Sequence, residues 1–554
     1  MLLYRWFLSF VLLTSAFGTG WHRAAFGQEK PKPFATVSIA PLDRSLPDLT
    51  YILSALNMPE MTGMVEMMAG FYTKGIDRSR PIGVFLTMAD GQDAEPEFQA
   101  CIPMTDHQQW FQAIAGMGLE PEDLGEGKYE IAAAGQFIYA KVADGWLHMG
   151  QSEESLSEVV QNPTELLGDL PQRYNLAVRL DLEQISPEAR RSALDQMRSQ
   201  VEQNVAQQFG DQLGDQLDLA KEAGESQIEE LEEVMKDVQQ IVLGFLTESD
   251  QKRVAIDAAI QFLPGTELAA QMESQAGLRS EFAGLQVAES AAQMRLTGAM
   301  AKDQDKAAAK LALQEFLKQV EQAMQRTELP EQRATLLKQL MASCTKVLEQ
   351  TIDEGLVDGA AALSYHDDVL RVLAGVRVAD GRAIENELKS FISGLTTASE
   401  IQFEPDYATE GSWRLHRLRA QLPDSEDSIG SLLGQEIEIF IAASDKKLLV
   451  SLAPDGEESL RSAIRQMDAA QPAEVTPMEV VLRMGDLVRL MQKANPDPSM
   501  EEMLAAVEQV ESNDQVKVTA TVLPRGFVVR ASMEEGVLKT LGSMVKSSDL
   551  MPGF

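Results

Sequence analysis

One short pattern recurs along this chain and restricts its fold more than any other feature. Two runs of alternating apolar residues flank a tight polar turn, and a helix-like segment follows. The pattern is written in "QFIYAKVADGWLHMGQSEESLSEVV" (136–160), in "EIEIFIAASDKKLLVSLAPDGEESLRSAI" (436–464) and in "QVKVTATVLPRGFVVRASMEEGVLKTLGSMV" (515–545). Val516, Val518, Ala520 and Val522 repeat with a period of two, the signature of a half-buried antiparallel strand. Asp144-Gly145, Ser444-Asp445-Lys446 and Pro524-Arg525-Gly526 supply the turns, and Ser152 and Asp455 stand where helix N-caps belong. The fold class is therefore α+β, a sheet with helices packed on one face.

The pattern is also copied. "SEESLSEVV" (152–160) matches "GEESLRSAI" (456–464), and at the same offset of 304 "NLAVRL" (175–180) matches "EVVLRM" (479–484). Two matches in one register predict two duplicated lobes, over 28–280 and 281–554. Long helical hairpins are expected inside them. In the first lobe, over about 187–247, apolar residues step by three and four through Leu194, Met197, Val201, Val205, Phe209, Leu213 and Leu217, then Ile228, Leu231, Met235, Val238, Val242 and Phe245. A second pair is expected over 303–326 and 331–354, broken at Leu329-Pro330.

Residues 1–27 read as a secretory signal peptide: Arg5, an apolar run from Trp6 to about Phe17, and small residues at Ala25-Phe26-Gly27. An uncleaved anchor is the alternative. Cleavage before Gln28 would deliver the chain outside the cytoplasm, periplasmic or secreted, and no later segment is apolar enough to span a bilayer. The net charge of −37 repels phosphate backbones and anionic headgroups, which excludes nucleic acid as a partner. Cys101 and Cys344 are the only cysteines. They permit one disulfide or two buried thiols, and no thiolate zinc site.

Motifs for chemistry are missing by type. There is no GxxxxGK[ST] loop, no strand-flanked GxGxxG, no GxSxG elbow and no HExxH pair. After the expected signal peptide four histidines remain, His107, His148, His366 and His416. His366-Asp367-Asp368 has metal-ligating and acid–base groups side by side, yet it sits between two strand-like runs, where aspartates favour turns. Carboxylate pairs in so acidic a chain are expected as solvated faces. No catalytic residue, no metal ligand and no cofactor is assigned.

"NMPEMTGMVEMMAGF" (57–71) carries five methionines. At helical spacing Met61, Met64, Val65, Met68, Phe71 and Tyr72 share one broad face, with Glu60, Thr62 and Glu66 off it. Three readings follow: an ordinary core seam, an adaptable surface for an apolar ligand or partner helix, and soft thioether ligands for Cu(I). The core seam is the default, because Val65 and Phe71 ligate nothing. If the face binds, Met61, Met64, Met68 and Phe71 are its contact residues.

The signal peptide ending near "FGQEKPKP", the hairpin-helix units such as "GWLHMGQSEESLSEVV" and the acidic helical insertions resemble uncharacterised exported proteins of planctomycete-type bacteria and related envelope families of unknown function. That resemblance is one of architecture and implies no activity. The functional expectation is a non-enzymatic extracytoplasmic binding or scaffolding protein with an unknown protein or apolar small-molecule partner. The alternatives are a carrier of lipid or another apolar ligand on the Met-lined face, and an unrecognised hydrolase around His366.

Overall fold

Asp144 and Gly145 both take positive φ, 50° and 74°, the pair of conformations a two-residue type I′ turn requires. They close residues 136–150 into a tight antiparallel hairpin, and the whole architecture is built from such units. The computed structural model describes residues 32–547 apart from most of 186–233, the stretches 89–95, 327–330, 367–368, 396–400, 422–435, 495–497 and 509–512, and a few isolated positions. The expected signal peptide, and the expected helical stripe from Leu194 to Leu231, lie outside the described residues. The chain divides into two compact units, one of residues 1–54, 58–270 and 524–528, the other of 55–57, 271–523 and 529–554.

The first unit holds β1 (Ala35–Ile39), β2 (Ile82–Met88), β3 (Pro96–Pro103), β4 (Pro121–Gly125), β5 (Lys128–Ala133), β6 (Gln136–Ala143), β7 (Trp146–Gly150), β8 (Leu176–Asp181), β9 (Val238–Glu248) and β10 (Arg253–Phe262). Every pairing is antiparallel, and the spatial order is β4-β5-β6-β7-β3-β2-β1-β8-β9-β10. Its helices are α1 (Leu42–Ala55), α2 (Pro59–Tyr72), α3 (His107–Ala115), α4 (Pro163–Leu167) and α5 (Leu170–Arg173). Asp106 starts α3 by accepting from the amides of Gln108 and Gln109, which satisfies two donors that a helix start leaves free.

One face of this sheet is filled. Phe85, Cys101, Trp146 and Leu167 form one cluster, and Leu170, Tyr174, Ala177, Val242, Leu246 and Ala255 another. Gly244 is needed there, because a Cβ would stand 2.3 Å from the Tyr174 ring. The opposite face is covered at one end, where Phe111 and Ile114 of α3 pack on Tyr129, Ala140 and Leu147, and is more open beyond it. Residues paired directly across antiparallel strands share a face, and the register lines up Ile82, Ile39, Leu176, Phe245 and Ile256, then Val84, Val37, Val178, Leu243 and Ala258. These rows contain no polar side chain. Leu176 and Ile256 are nonetheless 45% and 46% exposed.

The second unit contains β11 (Arg279–Ser280), β12 (Ala292–Ala299), β13 (Leu356–His366), β14 (Val369–Arg377), β15 (Ile401–Glu410), β16 (Trp413–Gln421), β17 (Glu436–Ala443), β18 (Lys447–Leu452), β19 (Ala473–Glu474), β20 (Met478–Arg483), β21 (Gln515–Leu523) and β22 (Gly526–Glu534). Strands β11 and β19 pair by themselves. The main sheet is antiparallel in the order β15-β16-β17-β18-β14-β13-β12-β20-β21. β22 continues it: the Gln515 amide donates to the Glu534 carboxylate, and the Ser532 hydroxyl to the Lys517 carbonyl. The helices are α6 (Glu267–Ser274), α7 (Asp303–Arg326), α8 (Glu331–Glu354), α9 (Gly381–Leu395), α10 (Gly456–Ala470), α11 (Met484–Ala494), α12 (Pro498–Glu508) and α13 (Glu535–Ser547).

Here too one face is filled, by Leu460, Ala463, Ile464 and Met467 of α10 against Leu373, Phe440 and Leu449. The other face carries Val450, Ala374, Ala361, Met294, Val480 and Val518 in one row and Leu452, Val372, Leu363, Ala292, Leu482 and Val516 in the next; the first row runs on through Ile441 to the buried His416, and α8 and α9 cover Leu448 on the same side. Met294 and Val450 are 47% and 39% exposed.

The molecule is thus α+β with extensive antiparallel sheet, and α7, α8 and the three hairpins fall where the periodicity put them. Two local expectations need correction. Val238, Val242 and Phe245 belong to strand β9, not to a helix; the run "VQQIVLGFLTE" is apolar on both faces, so its steps of three and four arose from a two-sided strand. Among the described residues between β7 and α4 the chain makes a single 3-10 turn, Glu154–Leu156, where the sequence predicts a longer helix, and Asn162 with Pro163 starts α4. Among the described residues no helix is long and apolar enough to cross a membrane.

Candidate functional site

Pro59 at the first helical position starts α2 with its φ already set. None of the helix's residues is buried, which overturns the reading of the methionine run as a core seam. Met61, Thr62, Val65, Ala69 and Tyr72 form a half-buried inner side. Met64, Met67, Met68 and Phe71 face solvent, 44%, 70%, 45% and 43% exposed. Their spacing of three, one and three makes a continuous apolar stripe. The contact set expected from sequence is therefore divided: Met61 turns inward, Met64, Met68 and Phe71 stay outside, and Met67, which the seam omitted, is the most exposed. Phe71 is steadied by an edge-on contact with Tyr72, ring centroids 5.2 Å apart, and by the Lys74 ammonium 5.3 Å from its centroid.

A second constellation was missed by spacing altogether. Glu385 on α9, Asp406 on β15 and His416 on β16 bring one carboxylate or imidazole atom each within 4.8 Å of one another. A register irregularity between Glu404 and Ala408 lets Asp406 adopt φ 48°. Its amide then donates to His416 Nδ1 at 3.1 Å.

That bond decides the chemistry. A neutral imidazole has a single lone pair; with Nδ1 accepting, Nε2 carries the proton and meets Glu385 Oε1 at 3.4 Å. No lone pair is left for a metal. Glu385, 1% exposed, is already engaged by Arg382 at 2.9 Å and Lys389 at 2.6 Å, with Arg414 at 3.4 Å. Burial alone pushes the Glu385 carboxyl up, but the bonds from Lys389 and Arg382 and the nearby cations outweigh it and hold the group below its usual range. Burial, helped by the Lys389 charge, lowers His416. The cluster is an ion-pair hub that fastens α9 to the β15–β16 hairpin; a cation would have to expel Lys389 and turn the ring.

Cys101 on β3 and His148 on β7 are direct cross-strand partners, with Sγ 3.4 Å from Nδ1. The pair has the composition of a nucleophilic dyad and none of its electrostatics. Burial pushes the Cys101 thiol up to about 12 and the His148 imidazole down to about 4. Both are neutral near pH 7, so no thiolate forms. Cys101 and Cys344 are free thiols, and the disulfide alternative is set aside. His366 ends β13 opposite Val369, at the hairpin turn the sequence indicated; Asp367 and Asp368 lie outside the described residues. No family model, no curated protein and no solved structure matches the chain.

Proposed function

We propose that this is a non-enzymatic binding or scaffolding protein that works outside the cytoplasm and presents α2 to an apolar segment of a protein partner. The observation that carries the proposal is the solvent-facing stripe Met64, Met67, Met68 and Phe71. A single helix face is convex and cannot enclose a small molecule. It suits a partner that brings its own groove, and unbranched thioethers adapt to such a surface. The extracytoplasmic address rests on the pattern of residues 1–27; the hydrolase alternative rests on His366 with Asp367 and Asp368, the last two outside the described residues.

Two duplicated lobes are part of the same proposal. The strand paths agree, β4 through β10 in one unit and β15 through β22 in the other, each hairpin pair placed before the central strand in the same sequence. The matched segments also fall at matching stations: 152–160 and 456–464 directly follow β7 and β18, while "NLAVRL" and "EVVLRM" lie on β8 and β20.

Native mass spectrometry of protein purified from its own host tests the binding reading. The expected result is a co-purifying protein mass that disappears in a Met64→Lys, Met68→Lys double variant whose melting temperature is unchanged. A wild-type chain that travels alone at every concentration, or a variant that keeps the partner, removes the reading.

A further inference from the structure

We propose that Glu385, Asp406 and His416 form an acid-operated latch: a proton taken up by His416 displaces Lys389 from the two carboxylates and frees the Asp406 amide, loosening α9 from the bulge in β15. This inference stands on the cluster alone and does not depend on α2. Its basis is that one ring and one ammonium face the same two oxygens. Glu385 Oε1 lies 2.6 Å from Lys389 Nζ and 3.4 Å from His416 Nε2. Asp406 Oδ1 lies 2.9 Å from Lys389 Nζ and 3.9 Å from His416 Nδ1. While the ring is neutral the ammonium holds both oxygens, and the buried Nε2 has no hydrogen-bond partner in good geometry.

The Asp406 amide makes the two arrangements exclusive. It donates to His416 Nδ1 at 3.1 Å, and a protonated Nδ1 is a donor with no lone pair. Protonation therefore sets donor against donor and turns Nδ1–H toward the Asp406 carboxylate. Asp406 holds φ 48° in the irregular register between Glu404 and Ala408, a left-handed conformation that a residue with a Cβ keeps only where its surroundings fix it. The amide bond to the ring is one of those constraints, so its loss lets the bulge relax.

Charge sets the direction. α9 presents Arg382, Glu385 and Lys389 to the site, β15 presents Asp406 and the Phe403 ring, and β16 adds Arg414. From β17, Ile441 stands directly opposite His416, with Ile439 and Ala443 beside it on the same face. With Asp445, which pairs with Arg382, three carboxylates face three cations while the ring is neutral. A proton on the buried ring leaves one cation in excess. Arg382 is pinned by the carbonyls of Ser412 and Ala443, whereas Lys389 sits on a flexible four-carbon stem and occupies the oxygens the charged ring needs. Burial and the Lys389 charge hold His416 below its ordinary value of 6.5, so the latch is shut near pH 7 and opens as the medium turns acid.

The test uses the full chain carrying His148→Gln, which removes the other buried histidine. NMR of isotopically labelled histidine should show the His416 ring with its proton on Nε2 at neutral pH and with both nitrogens protonated in acid. Hydrogen exchange read by mass spectrometry, corrected for the intrinsic rate at each pH, should show the protection of β15 around Asp406 falling about tenfold over the same interval, the worth of one hydrogen bond. His416→Asn places an oxygen where Nδ1 accepts and cannot titrate, so it should keep that protection in acid. If this variant disturbs folding, two changes at partly exposed side chains read the competition through His416 itself. Lys389→Met removes the competing ammonium and should raise the pH at which the ring titrates; Asp406→Asn removes an acceptor, keeps a residue that tolerates positive φ, and should lower it. A ring that stays neutral until the whole chain unfolds overturns the proposal, as does β15 protection that is constant while the ring titrates, a folded His416→Asn variant that keeps the acid response, or a titration that neither substitution moves.

Discussion

Glu385 is almost wholly buried and bound by Arg382 and Lys389, so removing its charge leaves two cations facing a neutral group. Glu385→Gln is expected to cost roughly 3–5 kcal/mol, read as a lower denaturant midpoint of the transition that includes α9. His148 gives a pH signature of its own. Its ordinary value of 6.5 falls to about 4 in the folded chain, so between those values the unfolded chain holds a proton that the folded chain refuses. Stability is complete above about pH 6.5 and drains as pH falls toward 4, by ~3 kcal/mol in all. Denaturation followed between pH 7 and pH 4 should show that slope, and His148→Gln should flatten its share of it. The sequence presented both histidines as isolated residues with no ligand spacing, and that much was readable. Their neutral state was not, because it comes first from burial, which depends on how strands and helices far apart in sequence close over the two rings.

The elements show where local chemistry suffices and where it does not. Turns such as Asp144-Gly145 are fixed by residues that tolerate positive φ, so hairpins were legible from a few letters. Strand β9 was not, because a run that is apolar on both faces carries no period of two. For α2 the sequence defined the helix but not its rotation, which depends on how much of its apolar circumference neighbouring elements cover. Met64→Lys with Met67→Lys should therefore change stability by no more than about 0.5 kcal/mol, as surface substitutions do, whereas a core seam would lose several times that. Thermal melts decide it. Gly244→Ala is the opposite case: the new methyl would meet the Tyr174 ring at 2.3 Å, and the expected loss is about 1–3 kcal/mol or more, recovered in part when Tyr174→Leu is added.

At the scale of the whole molecule, charge and apolar surface pull in different directions. With a net charge of −37 the chain repels itself, and salt relieves the repulsion over a screening length of ~10 Å at 0.1 M. The melting temperature should rise when sodium chloride is added to a low-salt buffer, and duplex DNA should fail to shift the protein on a native gel at any salt concentration. Composition announced the first property; the apolar faces required the register, since only cross-strand pairing places Leu176 beside Phe245 or Met294 beside Val480. One last property follows from the stripe on α2. Thioethers open to solvent are the first side chains an oxidant reaches, and each sulfoxide formed at Met64, Met67 or Met68 replaces an apolar contact with a polar, chiral one. Under the proposed reading, the stripe that binds would also be a clock: its working life would be set by how fast peroxide finds three sulfur atoms and how fast a reductase restores them.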